Sequence, residues 1–355
     1  MRLNNSAVKQ RIDAACTNVA AAVVVRLVHG IKLTTMIDMI RKTAFEFPRS
    51  FPAWLPEAIL MKLAHVKLIY WYFKTAIRMV KTNLPPEVKP GQSLPLLQAL
   101  HILTRDGKLN QDSRRKLKQV YHLVNFIEPL MQAVMDKQSQ PVLVDHGAGK
   151  SYLGFILYDL LLKQHAGGQV IGIESRGELI EKSRQLAQEC GFDRMQFEHL
   201  TVAEAMQSQQ LPETVDIVTA LHACNTATDD AIQFGLQKQA QFMVLVPCCQ
   251  AEVAEVMRQH KAETLAQTFL SELWRHPIHT REFGSQVTNV LRCLELEAHG
   301  YQVTVTELVG WEHSMKNELI IAKYTGQRKR SARERGQQLL EQLNLTSLSA
   351  RFNFQ

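Results

Sequence analysis

The run Asp145-His146-Gly147-Ala148-Gly149-Lys150-Ser151 has residues for two different chemistries. Gly149-Lys150-Ser151 is how a phosphate-binding loop ends, but such a loop also needs a glycine separated by four residues from its Gly-Lys-Ser/Thr. That place is held by Val144, a β-branched residue that cannot supply the open turn. No later strand candidate ends in an aspartate able to hold magnesium: Asp216 begins its strand, and Phe242–Val246 runs into Pro247. The second chemistry fits. Asp145-x-Gly147-x-Gly149 closes the apolar run Val142–Val144, and glycines there allow close approach of a nucleoside. The next apolar run ends at Glu174, whose carboxylate can accept hydrogen bonds from both ribose hydroxyls.

A second group of reactive side chains, His222, Cys224, Cys248 and Cys249, follows two later apolar runs, Asp216–Leu221 and Phe242–Val246. Three readings compete for it. The spacing matches no familiar zinc arrangement, so no metal is expected. An activated thiol could act as a nucleophile. Small thiols could also simply pack against strand ends and a cofactor, and this third reading leads. His222 is the best base candidate if the acceptor needs one.

The elements that must position these residues are readable from periodicity. From Pro141 onward, short apolar runs alternate with helical segments: strands at 142–144, 169–173, 195–198, 216–221 and 242–246, with helices at 152–164, 178–190 and 228–238 between them. Five strand-helix units imply an α/β, doubly wound, Rossmann-like parallel sheet. Strands at 302–308 and 319–324 are separated too briefly for a crossover helix, so they should pair as a terminal antiparallel hairpin, completing a seven-stranded sheet. Residues 1–112 read as an all-helical, basic N-terminal domain, with a further basic helix at 112–136. Residues 113–325 hold the α/β domain, and residues 326–355 a basic tail with a short helix at 334–343.

A dinucleotide-binding turn would want a third glycine at position 152, where Tyr152 stands. The Asp-x-Gly-x-Gly turn, the acid after the second strand and the final hairpin together resemble the class I S-adenosylmethionine-dependent methyltransferases. The resemblance runs over about residues 114–325. It implies S-adenosylmethionine as cofactor, with Asp145, Gly147, Ala148 and Gly149 forming the turn beside its methionine portion and Glu174 at the ribose. It also implies that Leu200–Val202, including Thr201, meets the adenine, and that Leu221 and His222 lie beside the methyl group.

Three further segments narrow the resemblance: Leu221-His-Ala-Cys-Asn-Thr-Ala-Thr-Asp-Asp230, Val246-Pro-Cys-Cys-Gln250 and Trp311-Glu-His-Ser-Met-Lys-Asn317. They are similar to a methyltransferase branch that includes the glutathione-S-transferase C-terminal-domain-containing proteins, and to a family of transfer-RNA 2′-O-methyltransferases. The latter often have Cys-Cys-His where this chain has Cys248-Cys249-Gln250. Enzymes forming 5-methylcytosine in RNA also place cysteines after the same two strands, an arrangement that Cys224 and Cys248 match loosely. No Asn/Asp-Pro-Pro-Tyr/Phe motif follows the fourth strand, which lowers the expectation of N6-adenine methylation.

Charge separates these regions. Residues 1–140 carry 21 Lys/Arg against 9 Asp/Glu, residues 141–325 carry 14 against 23, and the tail from 326 carries 6 against 2. A basic front and tail suit an anionic partner, and RNA bound through the N-terminal region is the expectation. The longest apolar region, 58–80, is interrupted by Lys62, Lys67, Lys74 and Arg78, so a spanning helix of about 20 residues is not expected. The first residues lack a signal-type apolar core, and the six cysteines show no paired framework. A cytoplasmic location without membrane attachment is the resulting expectation.

Overall fold

The computed structural model describes residues 85–221, 225–247, 250–259, 272, 275–308 and 318–354. The helical reading of residues 1–84, and the candidates His222, Cys224, Cys248 and Cys249, lie outside the described residues, as does the 311–317 segment.

Seven strands form one sheet: β1 (Val142–His146), β2 (Gln169–Glu174), β3 (Met195–His199), β4 (Ile217–Leu221), β5 (Phe242–Val246), β6 (Tyr301–Glu307) and β7 (Glu318–Tyr324), in the order β3-β2-β1-β4-β5-β7-β6. β1 to β5 are parallel, β7 runs antiparallel to β5, and β6 pairs antiparallel with β7 from Tyr301↔Tyr324 to Glu307↔Glu318. The chain builds outward from β1 through β2 to β3, then returns to place β4 on the other side of β1. The loops leaving β1 and β4 therefore part at the carboxyl edge, opening the crevice where such sheets bind ligands.

The central strands β1, β2, β4 and β5 are buried on both faces, which is why they read as continuous apolar runs. One face packs Val144, Ile171, Ala220 and Leu245 against Ile232, Phe234 and Leu296 of α6 (Ala227–Gln237) and α8 (Pro277–Ala298). The helices preceding α6 and α8 are α1 (Leu94–Ala99), α2 (Gln111–Met135), α3 (Tyr152–Leu157), α4 (Gly177–Cys190), α5 (Val202–Gln207) and α7 (Glu252–Gln259). The expected helix at 152–164 instead tightens into α3 and then widens to a π-helical turn, Tyr158–Leu162. The buried Asp159 carboxylate in that turn takes Lys163 Nζ at 2.9 Å and the Ser93 N–H at 2.8 Å.

Contacts group everything from Pro85 onward into one compact unit, whereas the sequence reading divides the chain at 112 and 325. The reason is local: Leu96 and Leu97 of α1 are fully buried, and Ser113 Oγ donates to the His101 carbonyl at 3.2 Å. The tail helix, α9 (Arg330–Gln342), is longer than the sequence suggests because it docks. Ala332 and Leu340 join Phe352 and Phe354 in an apolar cluster with Val253, Met257, Val287 and Leu291 of α7 and α8. No helix among the described residues is long and apolar enough to cross a membrane.

Candidate functional site

The turn after β1 is held by its neighbours rather than by its own side chains. Gly147 and Gly149 have φ of +66° and +58°, the left-handed region that a Cβ disfavours. The Ala148 N–H donates to the Ile173 carbonyl at 2.9 Å and the Ser151 N–H to the Ala148 carbonyl at 2.7 Å. The Gly149 N–H donates to Glu174 Oε2 at 2.8 Å, so the turn and the end of β2 form one rigid corner.

Glu174 is the electrostatic centre of that corner. Its carboxylate also accepts from the Arg176 N–H (3.1 Å), Arg176 Nε (3.0 Å) and Nη2 (3.3 Å), and Ser175 Oγ (3.3 Å). Burial pushes its pKa up, but the Arg176 bonds and the Gly149 N–H outweigh that and hold it below the usual range. It is therefore an ionised acceptor facing an open turn: a Cβ built on Gly149 would meet only the Arg176 guanidinium, at 3.9 Å. The Arg176 side chain is 62% exposed, so it can leave Glu174 at small cost. An ionised carboxylate beside an unobstructed glycine turn fits the ribose of S-adenosylmethionine.

Asp145 faces the other way, into the protein. It is 2% exposed, and Thr219 Oγ1 of β4 donates to its Oδ1 at 2.8 Å. Burial pushes its pKa to about 6, against hydrogen bonds from Thr219 and the Gly154 N–H. It ties β1 to β4 and to the start of α3. Thr201 caps α5: its Oγ1 accepts the Glu204 N–H at 3.4 Å, while its own N–H donates to Glu204 Oε2 at 2.7 Å. The hydroxyl is thus engaged in a capping box beside the predicted adenine edge. Leu221 ends β4, half-buried at the carboxyl edge.

Residues 115–256 match a family model described as a methyltransferase domain. The chain carries a methyltransferase domain over this segment. It is 25% identical over 237 residues to a glutathione S-transferase C-terminal domain-containing protein of Bos taurus, covering 61% of this chain and 34% of that one. The similarity to the Homo sapiens protein of that name has the same identity and coverage. The chain therefore spans about a third of the length of these relatives. Among solved structures, a methyltransferase from Podospora anserina aligns with a TM-score of 0.39 and 12% identity, over 71% of this chain and 96% of that one.

Several residues of the methyltransferase domain gave no signal in the sequence. Arg176 is one, since nothing marks an arginine two residues after the acid as its partner. His146 is another. It is 3% exposed, lies 5.7 Å from the Phe234 ring, and has no hydrogen-bond partner on either ring nitrogen among the described residues. Burial lowers its pKa to about 4, so it is neutral at physiological pH. Gln250 is 7% exposed: Nε2 donates to Asn289 Oδ1 at 3.1 Å, and Oε1 accepts from Ser285 Oγ at 2.8 Å.

A cleft of about 650 Å³ opens beside the first half of α2, lined by Glu87, Arg114, Lys118, Tyr121, His122 and Glu307 among others. α2 has 25 residues, about 37 Å of helix, against about 17 Å for a five-residue strand. Its carboxyl end meets the amino edge of the sheet, where Gln138 Nε2 donates to Asp216 Oδ1 at 2.5 Å. Its first turns consequently reach the carboxyl edge, where Glu307 ends β6.

Proposed function

We propose that this domain methylates RNA, which it recruits along the basic first half of α2 and the basic N-terminal region. The observation that carries this reading is the row of exposed cations on the first half of α2, beside a cleft lined by Arg114 and Lys118 together with Glu87 and Glu307. Arg114, Arg115, Lys116 and Lys118 are all exposed along that half of α2. Arg114 is held by Glu87 at 2.8 Å, but both side chains are substantially exposed, and such a pair exchanges readily for a phosphate.

Bound S-adenosylmethionine would supply a methyl group already activated on a sulfonium sulfur. The remaining work falls to the chain: Glu174 accepts from the ribose hydroxyls, the 147–149 turn admits the ligand backbone, and alignment of the acceptor provides much of the rate. A base is needed only for an acceptor that is weakly nucleophilic at neutral pH, a role for which His222 is the candidate. A second reading rests on the cleft itself, whose volume also suits a small-molecule acceptor and whose rim carries Glu87 and Glu307.

Incubating the protein and methyl-labelled cofactor with undermethylated cell extract separates these readings. Label released by nuclease and not by protease is expected, and its yield should fall when Arg114 and Lys118 are changed to Glu. Label that resists nuclease, or that appears in a low-molecular-mass fraction, overturns the RNA reading.

A further inference from the structure

The loops leaving β4 and β5 are joined behind the carboxyl edge by a buried polar network. Its centre is Arg292 of α8, 0% exposed. Nε and Nη2 donate to the two oxygens of Asp229 at 2.6 and 2.8 Å, a bidentate pair. Nη2 also donates to the Asn225 carbonyl at 2.9 Å, and Nη1 to Asn289 Oδ1 at 3.1 Å. Each of these partners reaches further. The Asn225 side-chain oxygen accepts the N–H groups of Ala251 and Glu252 at 3.0 and 3.3 Å, so a residue of the β4 loop closes the amino end of the helix that follows β5. Asn289 accepts from Gln250 and donates to Glu318 Oε2 at 2.6 Å, at the start of β7.

Two features show that this is more than filling. Asn225 sits at φ +52°, a left-handed conformation that costs a non-glycine residue about 1 kcal/mol and that asparagine tolerates best. A fully buried ion pair is also no better for stability than apolar packing of the same shape, so its use here calls for another reason. That reason is register. Asn225 closes the β4 loop directly after Cys224, and Gln250 closes the β5 loop directly after Cys249.

We infer that Arg292 is a positioning residue for the methyl-transfer site, setting the β4 and β5 loops relative to each other through Asn225 and Gln250. The inference deepens the methyltransferase reading. It predicts that disturbing one loop's anchor is felt at the other loop.

The cysteines serve as reporters. Alkylation of Cys224, Cys248 and Cys249 by N-ethylmaleimide is followed by mass spectrometry, with Cys190 of α4 as reference. Arg292→Lys keeps a charge for Asp229 but loses the fork, and should accelerate both groups of thiols together. Asn225→Ala should do the same by about fivefold, as expected for loss of one helix cap, with Cys190 unchanged. Asn225→Asp, which retains the acceptor, should restore the wild-type rates. Acceleration at Cys224 alone, or no change at either loop, overturns the coupling. Equal acceleration of all thiols, Cys190 included, reduces Arg292 to a stability role and overturns positioning. If Arg292→Lys does not fold, the Asn225 pair decides. Titration of the wild type with S-adenosylhomocysteine is run alongside: absence of binding there refutes the cofactor reading and leaves the coupling measurement intact.

Discussion

At the scale of single residues, the cofactor site we propose rests on Glu174 and Gly149. Glu174 is kept ionised by donors that it already has, so a ribose diol exchanges for Arg176 instead of meeting a bare buried charge. Glu174→Gln keeps the shape but removes the charge, and one amide N–H then faces donors. Hydrogen bonds to a charged group contribute about 1.5–3 kcal/mol. Affinity for S-adenosylhomocysteine, measured by calorimetry, should therefore fall by about ten- to a hundredfold. Unchanged affinity would place the ribose elsewhere.

At the scale of elements, the tail is the surprise. Six cations against two acids suggested a segment available to an anionic partner. Three of those cations are instead turned onto acids of the rest of the unit. Arg351 meets Glu252 at 3.1 Å and Asp230 at 3.8 Å, while Lys329 and Arg335 meet Glu297 at 2.8 and 3.3 Å. The acidic middle and basic tail thus complement each other within one molecule. Anchoring comes from packing: Phe354 lies so close to α9 that a Cβ on Gly336 would sit 2.2 Å from its ring. Phe354→Ala should cost about 3–5 kcal/mol if the unit unfolds cooperatively. Gly336→Leu should expel the ring and open the tail to limited proteolysis after Arg330 or Arg333. Tails of equal resistance in the two proteins would mean that the aromatic contact does not hold the helix.

At the scale of the whole molecule, buried acids shape the response to pH. Glu295 of α8 is fully buried, taking Gln233 Nε2 at 2.5 Å and the Asn353 N–H at 2.9 Å, with Oε2 lacking any partner among the described residues. Burial pushes its pKa from 4.5 up to about 8. Between those values the folded state keeps a proton that the unfolded chain releases, so stability falls as pH rises, by at most about 1.4 kcal/mol per unit. Asp145, raised to about 6, acts in the same sense at lower pH, whereas His146, lowered to about 4, acts in the opposite sense up to about 6.5. The window from pH 6.5 to 8 therefore isolates Glu295. Urea midpoints should drop across it in the wild type and stay level in Glu295→Gln; parallel slopes would assign the effect to another group.

The alternation of apolar runs and helical stretches was enough to read the sheet and its antiparallel hairpin, because both depend on local pattern or short spacing. Val144, with no later strand candidate ending in an aspartate for magnesium, argued against a phosphate grip at this turn. The partners that complete the site could not be read in this way. Arg292 meets Asp229 across 63 positions, Asn225 caps a helix 26 positions later, and the tail folds back onto α8. Such pairs exist only once helices from distant parts of the chain pack on one face of the sheet. Composition counts charges without saying which will neutralise which, and only the tertiary structure turned a basic tail into part of the fold.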